Sequence, residues 1–205
     1  MGFGNVGKSA QAQQQQPAAA SVFNLATLDD PTLLDYSQGP QGLPWIDNEY
    51  ILELVDFKIH DGYQFKGPRA LLRCIAVDTP EAKRQTPEGK IVKAMQPGEE
   101  AIRYFDVNKG VVNRFDVGKK NREDLSKFAA ALAGLTQEEA QERMQSGDFS
   151  VSAFLKELID ATPEEIGALH LRVHAKVVTG TTPQSKKFYA RETYFPCPEE
   201  HKFQG

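Results

Sequence analysis

A mainly β fold with a helical insert, an α+β chain, is predicted for this sequence by three observations. The stretches EYILELVDFKIH and RALLRCIAVD are rich in aliphatic and β-branched residues over strand-like lengths. A block running from Asn121 into the 160s carries helical periodicity and helix-start signals. Two closing segments, LHLRVHAKVV and KKFYARETYF, flank the turn-rich TGTTPQS, and the first alternates strictly between apolar and polar residues. The order strand, strand, strand, helices, strand, strand is that of an OB-fold, a five-stranded Greek-key barrel. The helices then fall between strands three and four. An α+β sandwich with helices on one face is the alternative arrangement of the same elements.

With 205 residues, 40% hydrophobic and 25% charged, the chain has room for one core plus tails. A net charge of −4 argues against a protein coated in cations, yet the charges are segregated. Between Leu169 and Phe195, Arg172, Lys176, Lys186, Lys187 and Arg191 stand against Glu192, whereas the helical block before it is acidic. Cys74 and Cys197 are too few for a disulfide framework and fit a reducing compartment. The first residues lack the charged start and apolar run of a signal peptide. No segment approaches the roughly 20 apolar residues of a membrane span. A soluble, cytoplasmic protein without membrane contact is expected.

Residues 1–44 read as a disordered arm, because GFGNVGKSAQAQQQQPAAA and SQGPQGLP offer little apolar area against the entropy of ordering. Within them, VFNLATLDDPTLLDY has enough Leu and Phe to dock on its own domain or on a partner. A single domain follows over residues 45–198, and 199–205 is a short tail. Trp45 reads as a plug on the barrel. In the first strand, Ile51, Val55, Phe57 and Ile59 are expected on one face, with Leu52 and Leu54 on the other. A loop and a second strand follow, then a long polar connection rich in Pro, Lys and Glu. AIRYFDV and VVNRFDV are strand material, as one kinked strand or a short hairpin.

Asn121 is the expected N-cap of the first helix, with Leu125, Phe128, Ala129 and Leu132 as its buried stripe and Gly134 as its stop. Thr136 and Glu139 have capping-box spacing for a second helix. Val151, Phe154, Leu155 and Leu158 mark a third, and Thr162-Pro163-Glu164-Glu165 starts one more turn. In the closing hairpin, Leu171, Val173, Ala175 and Val177 share one face with Phe188, Ala190 and Tyr194. Arg172, His174 and Lys176 then share the other with Lys187, Tyr189 and Arg191.

One motif matches in full and misleads. Gly2-Phe3-Gly4-Asn5-Val6-Gly7-Lys8-Ser9 satisfies the phosphate-loop pattern, but that loop works only between a strand and a helix. Here Met1 precedes it and a glutamine run follows. Metal binding is not expected: His170 and His174 lie about 13 Å apart on a strand, and Cys197 with His201 is half a site. No nucleophile–base constellation stands out, so neither an enzyme nor a cofactor is expected.

Nucleic acid suits the pattern better. OB-folds grip oligonucleotides with the loop between strands one and two, the loop between strands four and five, and the sheet face between them. The first loop supplies Tyr63, Phe65, Lys66 and Arg69. The second runs into Lys186 and Lys187, and its flanking strands supply Arg172, His174, Lys176, Tyr189 and Arg191. Rings stack on unpaired bases at about 1–3 kcal/mol each, and cations meet phosphates. Tyr63, Phe65 and Tyr189 are the expected stacking residues. The plainer reading pins the two loop rings to the barrel rim and uses the strand cations to discourage edge-to-edge association.

The block EYILELVDFKIH, RALLRCIAV, PGEEAIRYFDV and LSKFAAALAGL resembles the OB-fold single-stranded-DNA-binding proteins of tailed-bacteriophage replication modules. Pro97-Gly98 before a strand, then Leu125, Phe128, Leu132 and Gly134 in a helix, carry the likeness. VHAKVV with KKFYARETYF is similar to the family's final hairpin. The resemblance covers about residues 48 to 196. It implies coating of unpaired DNA, without sequence preference, during phage replication or recombination in the cytoplasm of the infected bacterial host. Single-stranded DNA, phage replication proteins and further copies of the chain are the partners expected. The chain departs from the family in its tail, PCPEEHKFQG, which lacks the acidic run that recruits replication partners.

Overall fold

A computed structural model describes residues 25–30, 46–61, 66–85, 89–108, 110–112, 115–167, 169–182 and 185–199. After a short 3-10 helix, Leu25–Leu28, come β1 (Asn48–Asp61), β2 (Lys66–Val77), β3 (Lys83–Gln85), β4 (Ile91–Lys93) and β5 (Glu100–Tyr104). Two small strands, β6 (Val111–Val112) and β7 (Phe115–Asp116), lead into α1 (Val117–Leu132), α2 (Gln137–Ser146), α3 (Val151–Asp160) and α4 (Pro163–Ile166). The chain closes with β8 (His170–Thr182) and β9 (Ser185–Pro196). The fold is α+β: an antiparallel five-stranded sheet in the order β5-β2-β1-β8-β9, with helices against one face.

The expected barrel does not close. Among the described residues β5 and β9 are the two edges of an open sheet, with no backbone ladder joining them. Side chains bridge the seam instead. Arg103 on β5 places Nε 3.0 Å from the Glu192 carboxylate and donates to the Tyr194 hydroxyl at 3.3 Å, both on β9. Its Nη2 lies 3.4 Å from Asp124 on α1, whose other carboxylate oxygen accepts from Lys120 at 2.7 Å. The Tyr194 hydroxyl also donates to Glu192. Burial opposes the charge on Arg103, but Glu192, Tyr194 and Asp124 outweigh it and hold the guanidinium firmly protonated. Burial, then the Glu192 charge, keeps the Tyr194 hydroxyl protonated well above its ordinary range.

Between sheet and helices lies the core. Phe128 of α1 is its hub, with its ring centroid 5.3 Å from Phe105, 5.5 Å from Tyr194 and 6.5 Å from Phe57. Leu52 and Leu54 of β1, Leu72 of β2 and Leu171 of β8 are buried beside it. The faces of β1 differ from the simple alternation. Tyr50, Leu52, Leu54 and Phe57 face the core, while Ile59 is 42% exposed. A register shift between Leu54 and Asp56 inserts one extra residue, which turns Phe57 to the side of Leu52 and Leu54; Ile59 shares that side but is exposed near the end of the strand.

Local signals in the helical block hold with one correction. Asp116, not Asn121, caps α1, its carboxylate accepting from the Lys119 N–H at 2.8 Å. Asn121 sits one turn inside, buried, with Nδ2 donating to the Val117 carbonyl. The strand β7 therefore passes straight into the helix, and the helix starts five residues early. Thr136 and Glu139 form the reciprocal capping box, and Gly147 ends α2 at φ 84°. Gly134 follows α1 at φ 76°, a conformation costly for residues with a Cβ.

The polar connection after β2 contains a strand pair that alternation did not reveal, β3 with β4, each only three residues long. VVNRFDV does not continue β5 but forms its own pair, β6 with β7. The N-terminal stretch read as an arm is docked in part. Leu28 is fully buried, and Asp29 accepts from the Ser150 hydroxyl at 3.0 Å, the Ser152 N–H at 2.9 Å and the Ser152 hydroxyl. A carboxylate there also meets the positive end of α3. Asp29→Ala is expected to lower stability by about 1–2 kcal/mol, measured by urea denaturation against the parent chain.

Candidate nucleic-acid interface

Strand parity sends Leu52, Leu54, Leu171 and Val173 into the core, so their chain neighbours form the opposite face of the sheet. Arg172 and His174 of β8 lie there, paired in register with Ile51 and Glu49 of β1. Across β1, Lys58 pairs with Arg69 of β2, which pairs in turn with Tyr104 of β5. Two cation–ring groupings result. The Arg172 guanidinium stacks 4.7 Å from the Phe195 ring centroid. Arg69 is in register with Tyr104, which is 39% exposed and meets the His60 ring edge-on at 5.9 Å.

Carboxylates are interleaved with these cations. Asp56 lies 2.7 Å from Lys58 Nζ and 3.1 Å from Arg69 Nη2. Glu49 lies 3.4 Å from Arg172 Nη1 and 4.0 Å from His174 Nδ1. Arg73 reaches Glu100 at 2.9 Å and Glu53 at 3.4 Å, and Glu100, then Glu53, hold its guanidinium more firmly charged. Beside Arg172 an open pocket of about 420 Å³ is lined by Glu49, Ile51, Val77, Asp78 and Pro198. The face is charged in both signs, with rings at its two ends.

Of the residues expected to bind, Arg69, Arg172 and His174 are placed on this face. Lys66 opens β2 opposite Asp61, and Lys176 is the register partner of Arg191. Lys186, Lys187 and Tyr189 pair with Thr181, Gly180 and Val178 near the tip of the β8–β9 hairpin. The side chains of those six lie outside the described set, as do Tyr63, Phe65, Trp45 and His201 altogether. Register puts the two loops at opposite ends of the sheet. Asp61 ends β1 at the first loop, whereas β8 pairs with β1 only up to Asn48 and then runs past it toward the hairpin tip. A ligand touching both loops therefore lies along the sheet, not in a compact pocket.

Lys58, His60, Arg73 and Tyr104 were not singled out from sequence. Tyr104 stands in AIRYFDV, read only as strand material, and its proximity to Arg69 is a pairing across distant sequence. Elsewhere, no group of three His, Cys, Asp or Glu among the described residues is placed to hold a metal ion. Burial pushes the Cys74 thiol up to about 11, and Sγ donates to the Ala76 carbonyl. A thiol so held is a packing group, not a nucleophile. No described helix is long and apolar enough to cross a membrane. No known family model, curated protein or solved structure matches this chain.

Proposed function

We propose that this chain binds single-stranded DNA without sequence preference, along the outer face of its sheet and the β8–β9 hairpin. The observation that carries the reading is the pairing of cation and ring at both ends of one sheet face: Arg172 over Phe195, and Arg69 in register with Tyr104. Unpaired DNA offers phosphates to the first kind of group and base faces to the second. The strand order supports an OB-like architecture as well. Strands one to three form a meander, strand four pairs with strand one, and the helices intervene between three and four. The edges β5 and β9 also run the same way, as the seam of such a barrel requires. In this reading the side-chain bridge at Arg103 stands where a ladder would close it. The resemblance to phage replication-module proteins supports a role in phage replication or recombination in the infected host.

Fluorescence anisotropy of labelled oligo-dT and of a matched duplex, at two salt concentrations, tests it. Binding to the single strand that weakens steeply with salt is expected, since phosphate contacts release counterions. Absence of binding to either would remove the reading. A second reading, a virion structural or adaptor protein, draws on the interleaved carboxylates, because a face of both signs suits a protein partner. Stoichiometric copies in purified particles would favour it.

A further inference from the structure

We infer that Glu49 and Asp56, two carboxylates on the central strand of the sheet, act as tethered competitors of phosphate and set the strength of nucleic-acid binding. The inference rests on the single-stranded-DNA reading and assigns it an affinity-determining pair. Asp56 clamps two cations, and Glu49 clamps one beside a histidine. Asp56 is shared by Lys58 and Arg69, at 2.7 and 3.1 Å. Glu49 is shared by Arg172 and His174, at 3.4 and 4.0 Å. The cations come from three strands, whereas both acids come from β1, so one strand neutralises both cation–ring groupings.

These pairs are accessible to solvent, with Lys58 52% and Glu49 40% exposed at the side chain. A pair of this kind is weak and exchanges partners readily. A phosphate, which accepts from arginine in the same bidentate manner as a carboxylate, can take its place. Binding then means exchanging one anion for another, and its yield is smaller than free arginines would give. The consequence is a site that holds a strand loosely and releases it easily. Arg73 is different: Glu53 and Glu100 hold it from both sides, so it stays clamped when one acid is lost.

The test uses the full chain, oligo-dT and a salt titration. Glu49→Gln with Asp56→Asn keeps the side-chain shapes and frees Arg172, Arg69 and Lys58. It is expected to bind about tenfold tighter, because each exposed ion pair released is small on its own. Its log–log salt slope should steepen by about 2, the increment for three added contacts to a single strand. Glu138→Gln with Glu142→Gln makes the same charge change on exposed positions of α2, and at about 0.15 M salt it should match the parent.

If the parent binds and the Glu49/Asp56 variant binds with the same affinity and slope, the inference is overturned and the binding reading stands. Equal gains in both variants would also overturn it, since net charge alone would then explain the effect. Binding by the variant where the parent shows none would overturn both inference and reading, since the parent chain would then not be a binder. Absence of binding by all three would sink both the inference and the reading beneath it. Should the double variant fail to fold, Glu49→Gln alone carries the same comparison.

Discussion

Arg103→Ala is expected to cost the folded state about 3–5 kcal/mol, the largest effect of any single substitution considered for this chain. The reason lies in what remains. Glu192 and Asp124 are at least as buried as Arg103 itself, with side-chain exposures of 5% and 8% against 8%. Without the guanidinium, Glu192 loses the positive charge 3.0 Å from its carboxylate, whereas Asp124 retains Lys120. A buried carboxylate that has lost its counter-charge is costly in a way that a missing attraction is not. Urea denaturation reads the loss directly. Arg103→Met with Glu192→Met removes charge from both sides of the seam and should recover much of it, because apolar replacements of a whole buried pair are often neutral. A single-variant loss below about 1 kcal/mol would mean that water already reaches the cluster, and that the seam is not held there.

The second large effect is on binding. Arg172→Glu with Lys187→Glu is expected to weaken oligo-dT binding roughly a hundredfold or more, as two charge-assisted contacts are worth about 1.5–3 kcal/mol each. The salt slope should become shallower by about 1.4, two contacts at the single-strand increment. Arg172 holds no core position: it is stacked on Phe195 and paired with a half-exposed Glu49. Stability should therefore change little, and a thermal melt separates lost binding from lost fold. Unchanged affinity in a folded double variant would remove the hairpin from the interface.

Where structure followed local chemistry, the sequence was a sound guide. The capping box at Thr136 and Glu139, the glycine after α1, and the buried stripe through Leu125 and Phe128 each arise within a few residues of each other. The same holds for the inward Leu171 and Val173 against the outward Arg172 and His174. The misreadings have physical causes too. Asn121 is a good cap by type, but Asp116 stands one turn earlier, and a helix takes the first cap its neighbours allow. The first strand defeated alternation because a bulge cannot be seen in periodicity.

The candidate site was legible as a set of residue types and not as an arrangement. Basic residues in the closing hairpin and rings in the first loop stand out in the sequence, yet their neighbours do not. Glu49 reaches Arg172 across 123 positions and Arg103 reaches Tyr194 across 91, distances that no window over the chain spans. Composition, periodicity and capping determined that the chain is α+β, where its helices lie and which side of β8 turns inward. Tertiary structure alone decided that the sheet stays open, that a buried arginine joins its edges, and that the exposed cations meet carboxylates from the central strand. Local propensities act within a turn or two of backbone, whereas strand pairing and ion pairing depend on which distant segments the fold brings together.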